Sequence, residues 1–389
     1  MVLIVRASQG AAVAGLCIAV LLMGLACGAS EPQAGRGCRP GGKSFEAGTL
    51  EGPVVVAGSA RIQRRVRSEG CHALHLGGGS RGSTASGGGS NLLPRPFAPD
   101  SFWNAPLPAN APLDPNSRAL VSELRRQLDL GAPWINTTSY STPVYRVLAD
   151  QPTVRVKLEF DHEPLQQAWE AVPIPANARP ANGTDKAMVI WQPATDTMWE
   201  FWLMERTDGS WHARWGGRMT GLSRNPGYYT GTERNWGVSA TSLPLLGGLI
   251  TLDDLERGRI DHALGIAIPE ARKDWWTWPA QRTDGKKEDA GAIPEGARFR
   301  LDPTLDLDSL DLYPLVRMMA EAAQRYGIVV RDQSGVVAFA GEDPTPTGTN
   351  PWEGPVGWFS GQYPSTLVEQ FPWEHLQALR TEQQCCGSQ

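Results

Sequence analysis

The side chains best suited to chemistry are Asp185, Glu200 and His262. Asp185 and Glu200 lie in or beside runs with strand character, where Asp and Glu are disfavoured, so each needs a reason to be there. Glu200 sits among Trp199, Phe201 and Trp202. An apolar wall raises a carboxyl pKa and fits the group for general-acid work near neutrality. Asp185 would then be the partner base, the nucleophile or the orienter of a cation. The meander expected around them places Glu200 roughly opposite Ile190, and the separation of the two carboxyls would decide a retaining or inverting outcome. The structural alternative is a salt bridge from Glu200 to Arg214 or Arg218. His262 alternates with Leu264, Ile266 and Ile268 on one face. It is either a core histidine held by Asp185 or a backbone carbonyl, a general acid/base or substrate donor at a cleft edge, or a metal ligand.

Aromatic and basic residues surround this group. Exposed indole faces stack on the CH faces of sugar rings, which gives Trp202, Trp211, Trp215 and Trp236 a possible ligand role. Arg214 and Arg218 could bind the carboxylates of an acidic glycan. Tyr228-Tyr229 and Asn235-Trp236-Gly237 fall in a Gly-rich stretch that could rim a groove, and Trp275-Trp276-Thr277-Trp278 forms another cluster. The alternative for most of these residues is a Trp-rich core. Beyond residue 91 there is no Gly-x-Gly-x-x-Gly, Walker loop, Gly-x-Ser-x-Gly or His-Glu-x-x-His. Nucleotide cofactors, an α/β-hydrolase elbow and a zincin site therefore lack support, and no cofactor is expected. Asp161-His162-Glu163 is compact, but strand neighbours point to opposite faces and Pro164 favours a turn, so no metal site is expected there.

The chain of 389 residues is 41% hydrophobic and 20% charged, which excludes a disordered protein. Its 15 Trp exceed its 7 Tyr and 9 Phe, and all lie beyond residue 102, whereas 19 of its 43 Gly lie in residues 1–91. The net charge of −5 divides into +5 for residues 1–91 and −10 for the rest. No basic patch stands out, so nucleic acid is not an expected partner. Residues 1–27 read as a secretion signal, with Arg6 ahead of the uncharged run Ala11–Leu25. The end Gly24-Leu25-Ala26-Cys27 resembles a bacterial lipoprotein signal, which implies lipidation of Cys27 and a membrane anchor. A plain signal peptide or a retained anchor are the alternatives. All three place the folded part outside the cytoplasm. Cys38 and Cys71 could pair in an oxidising compartment, and Cys385-Cys386 are adjacent near the C-terminus.

The elements that must position the chemistry read as α+β, mainly antiparallel β in a sandwich or curved sheet, with several peripheral helices. A small segment covers 28–76, a Gly/Ser linker 77–91 and the main domain 92–383. Asp114-Pro115-Asn116-Ser117 caps a helix over Arg118–Leu128. Strands are expected over Pro143–Leu148, Thr153–Phe160, Ala187–Trp191, Met198–Met204 and Trp211–Trp215, the last three as a meander. Thr251–Leu255 reads as a capped short helix and Ile260–Ile268 as a strand. Tyr313–Tyr326 is an amphipathic helix ended by Gly327, with strands at Ile328–Val330 and Val336–Ala340 and a final helix at Trp373–Leu379.

Five stretches recur as a set: Phe102-Trp103-Asn104; Gly183-Thr184-Asp185-Lys186; Trp199-Glu200-Phe201; Leu243–Leu249 with Gly258–Leu264; and Arg325–Asp332. Together they resemble a widespread family of secreted bacterial proteins without an established activity, over about 230 residues. The resemblance implies one integral domain in an envelope or extracellular setting and supplies no reaction. This chain departs from it at Ala187, where His is frequent, and at Gly247, where Pro is usual. Residues 44–76 also resemble the opening strands of a concanavalin-like, polysaccharide-lyase-type fold, whose remainder does not follow.

The expectation is an extracytoplasmic, monomeric protein that handles a polysaccharide. A glycoside hydrolase would use Glu200 as acid and Asp185 as base or nucleophile. A polysaccharide lyase would use His262 or a Tyr as base, with Arg214 or Arg218 neutralising a uronate. The alternative is a non-catalytic glycan-binding or envelope-structural lipoprotein, which Ala187 favours. A peptidase or esterase lacks a nucleophile motif.

Overall fold

The structure, a computed structural model, describes residues 95–385. The expected signal, Cys27, the Cys38–Cys71 pair, the 28–76 segment, the linker and Cys386 all lie outside the described residues. Among the described residues no helix is long and apolar enough to cross a membrane.

The fold is α+β and rich in sheet. A five-stranded sheet runs in the order Glu342–Asp343, Thr142–Arg146, Met188–Gln192, Thr197–Trp202, Trp215–Thr220. A six-stranded sheet runs Trp134–Asn136, Ala338–Ala340, Leu264–Ile268, Ile328–Gln333, Arg298–Leu301, Leu376–Ala378. Two three-stranded sheets complete the fold, and parallel pairs are almost as frequent as antiparallel ones. The two larger sheets meet at Gly341, between Ala340 and Glu342. A side chain there would come within 2.7 Å of Thr137 and 3.2 Å of Trp352, so only glycine lets the chain cross.

The hydrophobic side chains form two clusters. One gathers Val189, Ile190, Trp199, Phe201, Trp211, Trp215 and Trp236 about the five-stranded sheet. The other packs the six-stranded sheet against the helix Pro314–Arg325. That helix buries Leu315, Val316, Met319, Ala320 and Ala323 on one stripe, the pattern of an amphipathic surface helix. Gly327, at φ +85°, ends it; its N–H reaches the carbonyls of Ala322 and Ala323, and the chain turns straight into Ile328–Gln333.

Three expectations are corrected. The meander keeps its first hairpin, Met188–Gln192 with Thr197–Trp202, but the third strand is Trp215–Thr220. The chain leaves the sheet at Leu203, whose φ is +52°, makes the Glu205–Thr207/Ser210–Ala213 hairpin in a separate sheet with Val156–Leu158, and returns after Arg214. Trp373–Leu379 is not a helix. After a short 3₁₀ turn at Trp373–His375, Leu376–Ala378 pairs with Arg298–Leu301, because those residues complete the edge of the six-stranded sheet. Finally, Ile260–Ala263 is not strand, which begins at Leu264.

Candidate functional site

Glu200 lies on the strand Thr197–Trp202, inside the five-stranded sheet, paired with Val189, not Ile190, and with Gly217. Its side chain is 0% exposed. Gly217 is a requirement of this site: a Cβ there would lie 2.2 Å from the Tyr229 hydroxyl. With that space open, Tyr229 donates to Glu200 Oε1 at 3.1 Å, joined by the Val238 N–H at 3.0 Å. The Leu245 N–H donates to Oε2 at 2.7 Å. Neither Arg214 nor Arg218 pairs with it. Burial outweighs these donors and the charge of Arg331, and pushes the carboxyl up to about 7. Glu200 therefore ties the segment Gly237–Leu249 to its sheet. On the far side Arg331 donates to the carbonyls of Leu245 and Gly247, both at 2.9 Å, and the Thr241 hydroxyl donates to the Arg331 carbonyl. The segment is mortar between the two sheets, with Glu200 gripping its N–H groups and Arg331 its carbonyls.

His262 lies elsewhere, on a narrow surface cleft with about 30 Å³ of space open to a water, lined by Arg95, Trp103, Asn104, Arg146, Trp191, Thr251, Asp253, Asp254 and Arg257. Its partner is Asp254, not Asp185. His262 Nε2 lies 3.1 Å from Asp254 Oδ2, and Nδ1 lies 2.9 Å from the Ala263 carbonyl. Both ring nitrogens thus face acceptors, so the imidazolium, with two N–H groups, is the form that satisfies them. Burial would lower the His262 pKa, but Asp254 and the Ala263 carbonyl raise it above its ordinary value. Burial would raise Asp254, but His262 and Thr251 bring it down to about 2. The same carboxylate closes the capping box of Leu252–Arg257 and pairs with Arg257. A ring whose nitrogens are both committed is a poor general base, and the backbone-carbonyl bond matches the core-histidine alternative.

Asp185 is exposed, and its carboxylate accepts the Trp202 indole N–H at 3.5 Å. Among the described residues no hydrogen bond or ion pair joins Asp185, Glu200 and His262. The expected stacking platform is also corrected. Trp211, Trp215, Trp236 and Tyr229 are buried and Trp202 is half-buried, because they fill the core of the five-stranded sheet. Arg214 is exposed and stacks on Phe160 and Trp202, and Arg218 faces Glu233. Of the Trp275–Trp278 cluster only Trp278 is markedly exposed, at 39%, against Phe102 and Tyr228. Asp161-His162-Glu163 is a helix entry, with His162 Nδ1 accepting the Leu165 N–H.

No match to this chain exists among protein-family models, curated proteins or solved structures. Geometry alone carries the functional reading.

Sequence reasoning missed a second group of carboxyls. Asp284, Glu295 and Asp332 bring carboxylate oxygens within 4.8 Å of one another. Burial and then Asp284 push Asp332 up to about 7, and burial with both aspartates pushes Glu295 well up. Asp332 gets there through a bulge: the register against Leu264–Ile268 shifts between Val330 and Asp332, which re-aims the side chains of that strand. The criterion that singled out Glu200, a carboxylate within a strand-like run, also applies to Glu295 in Ile293–Glu295. That run, three residues long, is too short to read as a strand from sequence alone.

Proposed function

We propose that the protein binds a glycan bearing carboxylate or hydroxyl groups, and that the cleft of His262 is where it does so. One observation carries this reading: the guanidiniums of Arg95 and Arg146, the Asp253 carboxylate and the Trp191 indole line one cleft. Mixed hydrogen-bonding groups beside an aromatic edge are what a polyol or a uronate requires. The His262–Asp254 pair holds the cleft floor and takes no part in proton transfer. A lipid-anchored or secreted protein of the cell envelope is the setting that fits a glycan ligand.

A hydrolase reading keeps one point in its favour, since Glu200 and Asp332 both titrate near neutrality. Glu200 has no exposed atom through which to pass its proton to a sugar, so binding is the better reading. The test is affinity electrophoresis of the full-length chain through cell-wall and plant polysaccharides, with reducing ends and unsaturated uronates assayed in parallel. Retardation by an acidic polysaccharide, weakened in Arg95→Ala and Asp253→Asn and without product, is expected. Reducing ends or unsaturated uronates that vanish in Glu200→Gln would overturn it in favour of an enzyme.

A further inference from the structure

Asp284, Glu295 and Asp332 differ from every other carboxyl cluster in one respect: a buried oxygen has nothing to bond. Glu295 is 0% exposed; its Oε2 accepts the Asp284 N–H at 3.2 Å, whereas Oε1 has no hydrogen-bond partner. A buried acceptor left unmet is costly and calls for an explanation. Glu295 offers one carboxylate oxygen within 4.8 Å of one from Asp284 and one from Asp332, and both aspartates are only half-buried, so the group lies at the edge of the core. Asp332 Oδ1 accepts the Gln333 N–H at 2.9 Å, and Asp284 Oδ1 accepts from the Gln333 side chain at 2.8 Å. These bonds fix both carboxylates in place, and among the described residues no hydrogen bond reaches their second oxygens.

The surrounding charge is one-sided. Arg282 and Arg331 are the cations that act on these groups. Arg282 donates to the carbonyls of Gly237 and Ser239, and Arg331 to those of Leu245 and Gly247. Against these two stand five carboxyls: Asp284, Glu295, Asp332, Glu200 and Asp185.

We propose that Asp284, Glu295 and Asp332 form a binding site for one calcium ion, with Glu295 Oε1 as its buried ligand. Three carboxylate oxygens are hard donors, which suit calcium or magnesium and disfavour zinc. Calcium accepts irregular shells built from protein carboxylates, whereas magnesium demands a near-ideal octahedron and keeps most of its waters, so calcium is the better fit to three carboxylates. Water would complete the shell from the open side. Asp284 lies on the loop after Ala271–Thr277, so the ion would pin that loop to Ile293–Glu295 and Ile328–Gln333. Arg282, two residues before Asp284, would be held with it and so keep its grip on Gly237 and Ser239. Calcium at this place would brace the segment that Glu200 and Arg331 clasp.

The test is calorimetric titration of the full-length, chelator-stripped protein with calcium chloride, repeated with magnesium and zinc, and melting in each ion. We expect one calcium per chain with a dissociation constant of about 0.1–1 mM. Magnesium should bind more weakly, and saturating calcium should raise the melting temperature by about 2–4 °C. Glu295→Gln and Asp332→Asn should both abolish the heat and the rise while melting like the stripped wild type. Absence of calcium binding, calcium binding unchanged in both variants, or a preference for zinc would overturn the assignment.

Discussion

Glu200 and Glu295 are both fully buried glutamates, both pushed up by burial, and they belong to different designs. Glu200 meets donors on each oxygen: a phenol and one amide on Oε1, another amide on Oε2. Glu295 has the Asp284 N–H on Oε2 and the Thr283 hydroxyl beside it, while Oε1 has no hydrogen-bond partner and two carboxyls stand close by. The difference teaches that a raised carboxyl pKa says little about function. What decides is whether the side chain's partners are complete. Asp254 belongs with Glu200, since Thr251, Arg257 and His262 enclose it.

The largest test of that grouping is Asp254→Ala. It strands the Arg257 and His262 charges and opens the capping box, so stability should fall by about 3–5 kcal/mol in urea unfolding. A loss below about 1 kcal/mol would place Asp254 among ordinary exposed ion pairs instead.

His262→Gln is the next step down, about 1.5–3 kcal/mol for a charge-assisted hydrogen bond. The pH dependence sharpens it. The folded pKa of His262 is raised, so its contribution is whole below about 6.5 and is lost as pH rises through the folded value. Asp254, lowered to about 2, contributes above its unfolded value of 3.8 and loses that as pH falls. Wild type should therefore lose its advantage over His262→Gln as pH climbs from 6.5. An advantage independent of pH would show that His262 acts by packing alone.

Much of this architecture was legible in the chain. The periodicity of Pro314–Arg325, the stop at Gly327 and the Thr251 cap rest on local rules and appear where those rules put them. The hairpin turn at Asp208-Gly209, with both φ positive, is equally local. The site was not legible to the same degree, because its contacts span long separations. Glu200 finds Leu245 across 45 residues, and Asp284 finds Gln333 across 49. Indole count alone does not separate a stacking surface from a core, and here the core took nearly all of it. His262 reads from sequence as a core, acid/base or metal-binding histidine, but its partner Asp254 falls within a run that reads only as a capped short helix.

The central claim is that complete partners make Glu200 structural and missing partners make Glu295 a ligand-seeking group. Unfolding free energies of Glu200→Gln and Glu295→Gln against wild type, in chelating buffer from about pH 6 upward, test it most directly. In Glu200→Gln the amide must face the Val238 or Leu245 N–H, so about 1–3 kcal/mol should be lost at pH 6. In Glu295→Gln the amide can point at Asp284 and Asp332, so little should be lost at pH 6. Its wild-type carboxyl ionises only at a cost, because its folded pKa lies above the unfolded one. Wild type should therefore weaken relative to Glu295→Gln as pH rises. A loss in Glu295→Gln equal to that in Glu200→Gln, unchanged with pH, would contradict the claim.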